Sequence, residues 1–323
     1  MRKPTQLIAL LVLLALVVTA CSPSTEERTG GSESEVKPLT IALLPIVDSL
    51  PFLVARDKGY FAEAGVEVDL QFFQSALEAD SAFQARAVDG AISDLIRAAV
   101  LKKSLGLQVL SISQGVTPEE GPFAILVPPG SDIDKVDELR GVEIAISPNS
   151  IIEFTTDQML REAGFRPEEI KKTIVTSIPQ RLELLLSGQI KAATLPDPLA
   201  TLAETKGARR ILDDTQGANI SQSVILFTEE AIENNPEAIR RFFKAYRKAV
   251  ADIQADPEAY RPLLEAELRL PKNLKEYTIG PFSMPQVPQR ADVERVVNWL
   301  VEKGILDEPI EYEDLVNDEF VAQ

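Results

Sequence analysis

Short apolar runs alternate with longer amphipathic stretches along most of this 323-residue chain, and this alternation limits the possible folds more than any other feature. The short runs predict buried strands, and the stretches between them, with apolar residues three or four positions apart, predict helices. Strand–helix alternation of this kind predicts an α/β fold in which a parallel sheet carries helices on both faces.

The alternation occurs in two separate units. In the first unit, strands are predicted at residues 39–44, 66–73, 90–92 and 107–113, with helices at 52–61, 77–88 and 95–103. In the second unit, strands are predicted at residues 123–127, 142–146, 172–176, 192–195 and 210–212, with helices at 136–139, 151–163, 179–186 and 198–206. The sequence therefore predicts two α/β lobes.

The chain is predicted to cross between the lobes near residues 115–122 and again near 220–230, around a strand at 224–227. Later helices cannot add to a parallel sheet, so we expect them to pack on the first unit; they are predicted at 236–255, 257–268 and 291–303. Lobe I is thus predicted to comprise residues 39–117 and 230–323, and lobe II residues 118–229. Ligands of open α/β sheets bind beyond the carboxyl ends of the strands, which here would point into a cleft between the lobes.

The N-terminal segment has the order of an export signal. Arg2 and Lys3 precede an apolar run at residues 7–18, which is too short for a typical membrane-spanning helix. Small residues then lead to Cys21, an arrangement that resembles a bacterial lipobox, in which the cysteine is lipidated and becomes the mature N-terminus; an ordinary signal peptide is the alternative. Residues 22–38 contain almost no large apolar side chain and predict a flexible tether.

The composition excludes several kinds of site. Histidine is absent and Cys21 is the only cysteine, so a lipidated mature chain would contain no thiol and form no disulfide. Catalytic triads that use histidine and zinc sites built from histidine and cysteine are excluded. We expect no metal and no cofactor. A net charge of −17 also makes nucleic acid an unfavourable partner.

Several segments resemble one known family. Residues 50–68 read LPFLVARDKGYFAEAGVEV and resemble the opening helix and second strand of solute-binding lipoproteins in the nitrate/sulfonate/taurine and thiamine-precursor (NMT1/THI5-like) family. Weaker matches follow in the family's order: VDGAISD at 88–94, LRGVEIAIS at 139–147, LSGQIKAA at 186–193 and NPE at 235–237. The resemblance implies a periplasmic-binding fold with two crossovers. It also implies partnership with an ABC permease and its ATPase subunit.

Polar residues that follow strands of lobe I are candidate ligand contacts. Asp48 and Ser49 follow the first strand, and Ser75 follows the second; each is also placed to cap a helix. Ser75 precedes Glu78 by three residues, which fits a capping box.

Four further candidates lie at the ends of the next two strands. Ser93 and Asp94 end the third strand, in a loop that commonly faces the cleft in the family that the chain resembles. This polar pair could hold a ligand donor or satisfy the free amides of the helix that follows. Ser113 and Gln114 lie at the first predicted crossover, where hinge residues can also touch a ligand.

Lobe II offers a second group of candidates. Ser147, Asn149 and Ser150 join a strand to a helix, where exposed amides and the helix dipole favour an anion, although capping explains the same residues. Asp197 follows a strand and could bind a cationic or hydroxylated group or cap a helix. The resembling family often carries an aromatic residue nearby, and Leu195 stands here instead, which argues against an aromatic clamp.

The candidate loops contain no arginine, and Arg97 is the nearest. We therefore expect a neutral or weakly charged organic solute, similar to a thiamine-precursor pyrimidine, rather than nitrate or a sulfonate. A basic stripe on the helix at 236–255 predicts a solvated face paired with acids, or alternatively a docking surface for the permease; it contains Arg240, Arg241, Lys244, Arg247 and Lys248.

The sequence thus predicts a monomeric, lipid-anchored, extracytoplasmic binding protein that delivers a small molecule to an importer. Two alternatives remain open. Relatives of this architecture include a pyrimidine-synthesising enzyme that consumes its own histidine, which this chain lacks, and menaquinone-pathway enzymes of the cytoplasm, which an export signal disfavours. A lipoprotein that binds ligand for sensing, without feeding an importer, has the same sequence features.

Overall fold

Two five-stranded sheets organise residues 36–272 and 274–321, the part of the chain that the computed structural model describes. The strands are β1 (Leu39–Leu43), β2 (Val68–Phe72), β3 (Gly90–Asp94), β4 (Leu107–Gln114), β5 (Phe123–Val127), β6 (Glu143–Ile146), β7 (Lys171–Ile174), β8 (Ala192–Pro196), β9 (Arg209–Asp213) and β10 (Ser223–Thr228). The signal peptide and lipobox predicted at 1–21, and residues 22–35 of the predicted tether, lie outside the described residues.

Helices connect most of these strands. They are α1 (Leu50–Asp57), α2 (Tyr60–Ala64), α3 (Ala76–Gln84), α4 (Leu95–Leu105), α5 (Ile151–Glu162), α6 (Ile178–Leu186), α7 (Leu199–Thr205), α8 (Glu229–Asn234), α9 (Pro236–Ala255), α10 (Arg261–Glu267), α11 (Arg290–Glu302) and α12 (Tyr312–Leu315). Short 3-10 helices lie at Val47–Ser49, Val136–Leu139, Pro167–Glu169 and Pro257–Tyr260.

The first sheet has the order β2-β1-β3-β10-β4, and the second has the order β7-β6-β8-β5-β9. We call each sheet with its helices a lobe, lobe I for the first and lobe II for the second. In each, three parallel strands with helical connections form one side of the sheet. This is the α/β fold with two lobes that the strand–helix alternation predicts.

Two details differ from the sequence analysis. Both sheets are mixed rather than parallel, because β10 runs antiparallel to β3 and β5 runs antiparallel to β8. Strand β10 also lies in the first sheet, whereas the sequence predicts that residues up to 229 belong to lobe II. The reason is geometric. A chain that leaves one sheet at the carboxyl edge and enters the next sheet at its carboxyl edge must run back through it, antiparallel to the strands that end there.

One face of the first sheet is covered by α9, which Pro236 begins at a position where its missing N–H is not needed. Phe242 and its apolar neighbours on this helix are fully buried. The Phe242 ring lies 5.6 Å from the ring of Phe61 and 5.7 Å from that of Phe227, between centroids. Each such side chain stabilises the fold by about 1.5–3 kcal/mol through burial.

Helix α11 packs on both lobes. It contacts α4 of lobe I, while its Trp299 ring meets Phe154 of α5 in lobe II edge-on at 5.4 Å. Trp299 Nε1 donates a hydrogen bond to Asp157 Oδ2 at 3.0 Å. Lys172 Nζ lies 2.7 Å from Asp157 Oδ1 and 2.8 Å from Glu153 Oε1, so both buried carboxylates have a cationic partner. A polar cluster inside an apolar interface fixes where α5 meets α11.

The two crossovers, residues 115–122 and 214–222, are tied to each other. Asn219 Nδ2 donates to the carbonyl of Val116 at 2.9 Å and also to that of Gly115. The N–H groups of Gly115 and Val116 both donate to Glu120 Oε2 at 2.9 Å. Gly115 has φ +94°, and a Cβ placed on it would lie 2.8 Å from the carbonyl oxygen of Ser221. Only glycine permits this approach, since the obstacle is backbone.

We expect Gly115→Ala to lower the free energy of unfolding by about 2–4 kcal/mol, because a strained φ adds to a backbone collision. Gly164→Ala is the matched control: Gly164 has φ +83°, but a Cβ there meets nothing within 4 Å. Gly164→Ala should lower the free energy of unfolding by about 1–2 kcal/mol. Urea unfolding of both variants measures the difference, and equal losses would show that the approach of the crossovers is not tight.

Candidate functional site

The topology brings the carboxyl edges of both sheets to the crossovers. The first crossover begins after Gln114, the last residue of β4. In the sheet, Ser223 of β10 pairs with Gln114 on one side and with Asp94, at the carboxyl end of β3, on the other. It enters lobe II at Phe123, which pairs with Pro196 at the carboxyl end of β8. The loops that follow β1, β3, β6 and β8 therefore converge on the same region, where ligands of α/β sheets bind.

Asp48, Ser113 and Ser223 meet at the lobe I side of this region. Ser113 Oγ donates to the backbone carbonyl of Asp48 at 3.1 Å and lies 2.9 Å from the hydroxyl of Tyr246 on α9. Ser223 Oγ donates to Asp48 Oδ2. Burial raises the pKa of Asp48, opposed by the hydrogen bond from Ser223. Ser49 is fully buried, and its hydroxyl donates to the carbonyl of Leu44 at 2.7 Å, so it is engaged within its own loop.

Ser75 and Asp94 cap helices in lobe I. Ser75 Oγ accepts from Glu78 N at 3.3 Å at the start of α3, and Ser75 is exposed. Asp94 Oδ1 accepts from Arg97 N at 2.8 Å at the start of α4. Burial raises the pKa of Asp94 to about 6. Ser93 beside it is half-buried and pairs in the sheet with Val224.

Ser147, Asn149 and Ser150 lie together at the carboxyl edge of lobe II. Ser150 Oγ donates to the Ser147 carbonyl at 2.7 Å, and Asn149, with φ +53°, donates its N–H to Glu153 Oε2 at 2.7 Å. Arg181, fully buried, donates from Nη2 to Ser147 Oγ at 2.6 Å.

The other donors of Arg181 bind strand ends. Nε donates to the carbonyl of Val175 at 3.0 Å and Nη1 to that of Thr194 at 3.0 Å. Burial lowers the pKa of Arg181 to about 10. This arginine lies in a helix rather than in a loop, so a search of the loops alone could not find it.

Asp197 is tied to its own lobe. Its Oδ1 accepts from the N–H of Thr201 at 2.8 Å and from the Thr201 hydroxyl at 2.7 Å, and Arg210 Nη2 lies 3.4 Å from Oδ2. Tyr277 is buried in the segment between α10 and α11. Burial raises the pKa of Tyr277, and the nearby carboxylates of Asp197 and Asp48 raise it further.

Within the described residues, five buried side-chain atoms at the crossovers have no hydrogen-bond partner. We call their residues the crossover cluster; the atoms are Gln114 Nε2, Asp214 Oδ2, Asn219 Oδ1, Ser221 Oγ and Gln222 Oε1. Burial of a polar group without a partner lowers the stability of the fold by about 1–3 kcal/mol. Such a group therefore needs an explanation, and a bound ligand is one that could supply the missing partner. The cluster adds four residues to Gln114, the only one of the five that the sequence analysis selected.

Asp214 is the acidic member of the crossover cluster. Its Oδ1 accepts from the Phe123 N–H at 2.8 Å, and Ser221 lies near the carboxylate. Burial raises the pKa of Asp214 to about 7, opposed by these two neighbours. Gln114 Nε2 and Gln222 Oε1 are without a protein partner independently of this neighbour. The sequence contains a signal for Asp214: the polar run at the end of β9, residues 213–217, follows its strand in the same way as the candidate loops follow theirs.

No group of three or more side chains suited to a metal occurs among residues 36–272 and 274–321. In the same part of the chain, none of the helices has the length and apolar character needed to cross a bilayer.

Comparison with known proteins supports the fold and identifies the family. A putative ABC transporter periplasmic binding protein of Brachyspira hyodysenteriae is 25% identical over 272 residues, which cover 80% of this chain and 76% of that protein. A riboflavin-binding protein of Chloroflexus aurantiacus is 23% identical over 266 residues, covering 76% of this chain and 74% of that protein.

Among solved structures, the alkanesulfonate-binding protein of Xanthomonas axonopodis pv. citri, bound to MOPS, has a TM-score of 0.72 at 16% identity. The match covers 87% of this chain and 98% of that one. Such a likeness establishes the periplasmic-binding fold. The NMT1/THI5-like family matches residues 47–260, well over half of the sequence, and the chain therefore belongs to the NMT1/THI5-like family.

Proposed function

We propose that this protein is the extracytoplasmic solute-binding component of an ABC importer, which captures a small organic solute between its lobes and delivers it to a permease. The crossover cluster is the observation that carries the proposal. It places buried donors and acceptors without protein partners where the carboxyl edges of both sheets meet. The importer relatives add support at the level of overall architecture.

Capture needs only differential affinity for the closed arrangement of the lobes. A solute that meets Gln114 from lobe I and Asp214 from lobe II links the two lobes and favours closure. The Asp214 carboxylate is already buried, which strengthens each hydrogen bond that the solute donates to it. No bond is made or broken, and the lack of histidine leaves the chain without the most common general base.

The polar groups of the site favour a solute rich in N–H or O–H donors, neutral or weakly basic. Acceptors predominate in the crossover cluster, which contains Asp214 Oδ2, Asn219 Oδ1 and Gln222 Oε1. The arginines nearby are engaged: Arg181 donates to carbonyls and a hydroxyl, and Arg210 pairs with Asp197 and Glu204. A nitrate or sulfonate would have to displace these contacts. Asp48, Ser93, Asp94, Ser113, Asp197 and the loop at 147–150 are proposed as further contacts around the cluster.

A thermal-shift screen of the full chain tests this proposal with nitrate, taurine, alkanesulfonates, aminopyrimidines and riboflavin. A donor-bearing ring compound should raise the Tm by several degrees, because ligand at 100 times Kd adds about 2.7 kcal/mol to stability. Ser221→Ala should remove most of the shift, whereas Ser75→Ala, which alters a helix cap, should keep it. If only nitrate or sulfonates raised the Tm, the solute class would be wrong, and turnover of any of these compounds would contradict a pure binding role.

The pKa of Asp214 makes a separate prediction about pH. A carboxyl whose pKa is raised to about 7 on folding contributes stability that is complete below its ordinary value of 3.8 and is lost as the pH rises through 7. Asp214→Asn abolishes this loss, so its Tm relative to wild type should increase from pH 5 to pH 8 without ligand. Asp307→Asn, at an exposed position, is the control and should show a constant difference. A constant difference for Asp214→Asn as well would show that Asp214 does not titrate in this range.

We further propose that Cys21 is lipidated and holds the protein at the outer face of the membrane. The basic start, the short apolar run and the small residues before Cys21 support this location. In a bacterial host, wild-type protein should incorporate labelled palmitate and sediment with membranes. Cys21→Ser should incorporate no label and appear in the soluble extracytoplasmic fraction. Equal labelling of both proteins would contradict lipidation at this cysteine.

A further inference from the structure

Helix α9 has two faces of opposite character. Its inner face is apolar and fully buried against lobe I, and Tyr246 on this face reaches Ser113 near the crossovers. Its outer face carries the basic stripe, in which Arg240, Lys244 and Arg247 form one row because they are spaced four and three residues apart. The chain has a net charge of −17, so this row is a local region of opposite charge.

The stripe borders a surface pocket of about 550 Å³, whose lining residues are Ala64, Glu237, Arg240, Arg241, Lys244 and Arg247. Two of its cations have carboxylate partners. Arg241 Nε lies 2.9 Å from Glu237 Oε1, and Arg240 pairs with Glu319. Arg241 also donates from Nη1 to the carbonyl of Gly65 at 3.0 Å, which fixes its guanidinium at the wall of the pocket.

The other two cations have no carboxylate partner among the residues that the structure describes. Arg247 Nη2 donates only to backbone carbonyls, at 2.8 Å to Val321 and 3.4 Å to Phe320. Burial lowers the pKa of Arg247, as expected for a cation that is partly removed from water without an anion nearby. Lys244 is exposed and has no ion pair. The four cations face two carboxylates, so the pocket has an excess of two positive charges.

We propose that this pocket binds a phosphoryl group, either that of a soluble phosphate ester or that of an anionic lipid headgroup. Guanidinium groups match the oxygens of a phosphoryl group in pairs, and an ammonium adds a mobile point charge. The volume exceeds what inorganic phosphate needs and leaves room for an attached glycerol. The negative charge of the whole protein opposes binding at long range, so recognition depends on contacts inside the pocket. The site is separate from the crossover cluster and does not depend on the proposed transport function.

The test uses the full chain with Cys21→Ser, so that no acyl chain contributes to membrane binding. Glycerol 1-phosphate is titrated by isothermal calorimetry, and co-sedimentation is measured with phosphatidylcholine vesicles with and without phosphatidylglycerol. The proposal predicts saturable binding of the ester, of the phosphatidylglycerol vesicles, or of both. Binding of the ester alone assigns a soluble source, and binding of the vesicles assigns the headgroup.

Lys244→Glu should weaken that binding about tenfold or more, since a hydrogen bond to a charged group contributes about 1.5–3 kcal/mol. Lys191→Glu is the matched control, because it makes the same change of charge at an exposed position of lobe II. The control should keep the wild-type affinity within about twofold. Absence of binding in both assays, or an equal loss in both variants, would overturn the proposal. An unchanged Tm for Lys244→Glu verifies that the variant is folded.

Discussion

The approach of the two crossovers at Gly115 is the constraint on which the rest of the structure depends. With a positive φ and the backbone of Ser221 in contact, Gly115 lets both connections pass side by side. Their shared hydrogen bonds through Asn219 hold them there. Because both connections join the carboxyl edges of the sheets, β10 runs antiparallel to β3, β5 runs antiparallel to β8, and the candidate loops converge. The close backbone contact holds the two connections together beside these loops.

Helix α11 limits how the lobes can move about these crossovers. Its Trp299 is buried against α5 of lobe II, while the helix also packs on α4 of lobe I. Ion pairs with a buried carboxylate, such as Lys303 with Glu153, contribute little net stability but are costly to break. A closing motion that separated α5 from α11 would break this pair and the hydrogen bond from Trp299 to Asp157. We infer that the lobes rotate about this contact, which keeps both interactions intact and concentrates the movement at the crossovers.

The sequence predicts the positions of most strands and helices, because each lobe buries apolar runs between helices, as β5 and β8 illustrate. It does not predict strand direction after a crossover, because the apolar pattern of β5 and β10 is the same whichever way each strand runs. Ser75, Asp94 and Asp197 each accept a hydrogen bond from an amide in the first turn of a helix, which is one of the two roles predicted for them. Their contact with a ligand stays a prediction. The burial of Asp214 Oδ2 and Ser221 Oγ without a partner depends on how a polar loop packs in the tertiary structure, which the sequence does not predict.

The buried carboxyl groups of the candidate site bear on which solutes it would favour. Burial raises the pKa of Asp48, Asp94 and Asp214, so folding places each of these carboxyl groups where its charge is disfavoured. A solute that donates hydrogen bonds to the charged carboxylates would offset that penalty, whereas an anion would add repulsion to it. Under the proposed function, the burial that weakens the ligand-free fold would thus supply a preference for a donor-bearing solute over nitrate, which is a common relation between stability and function at binding sites.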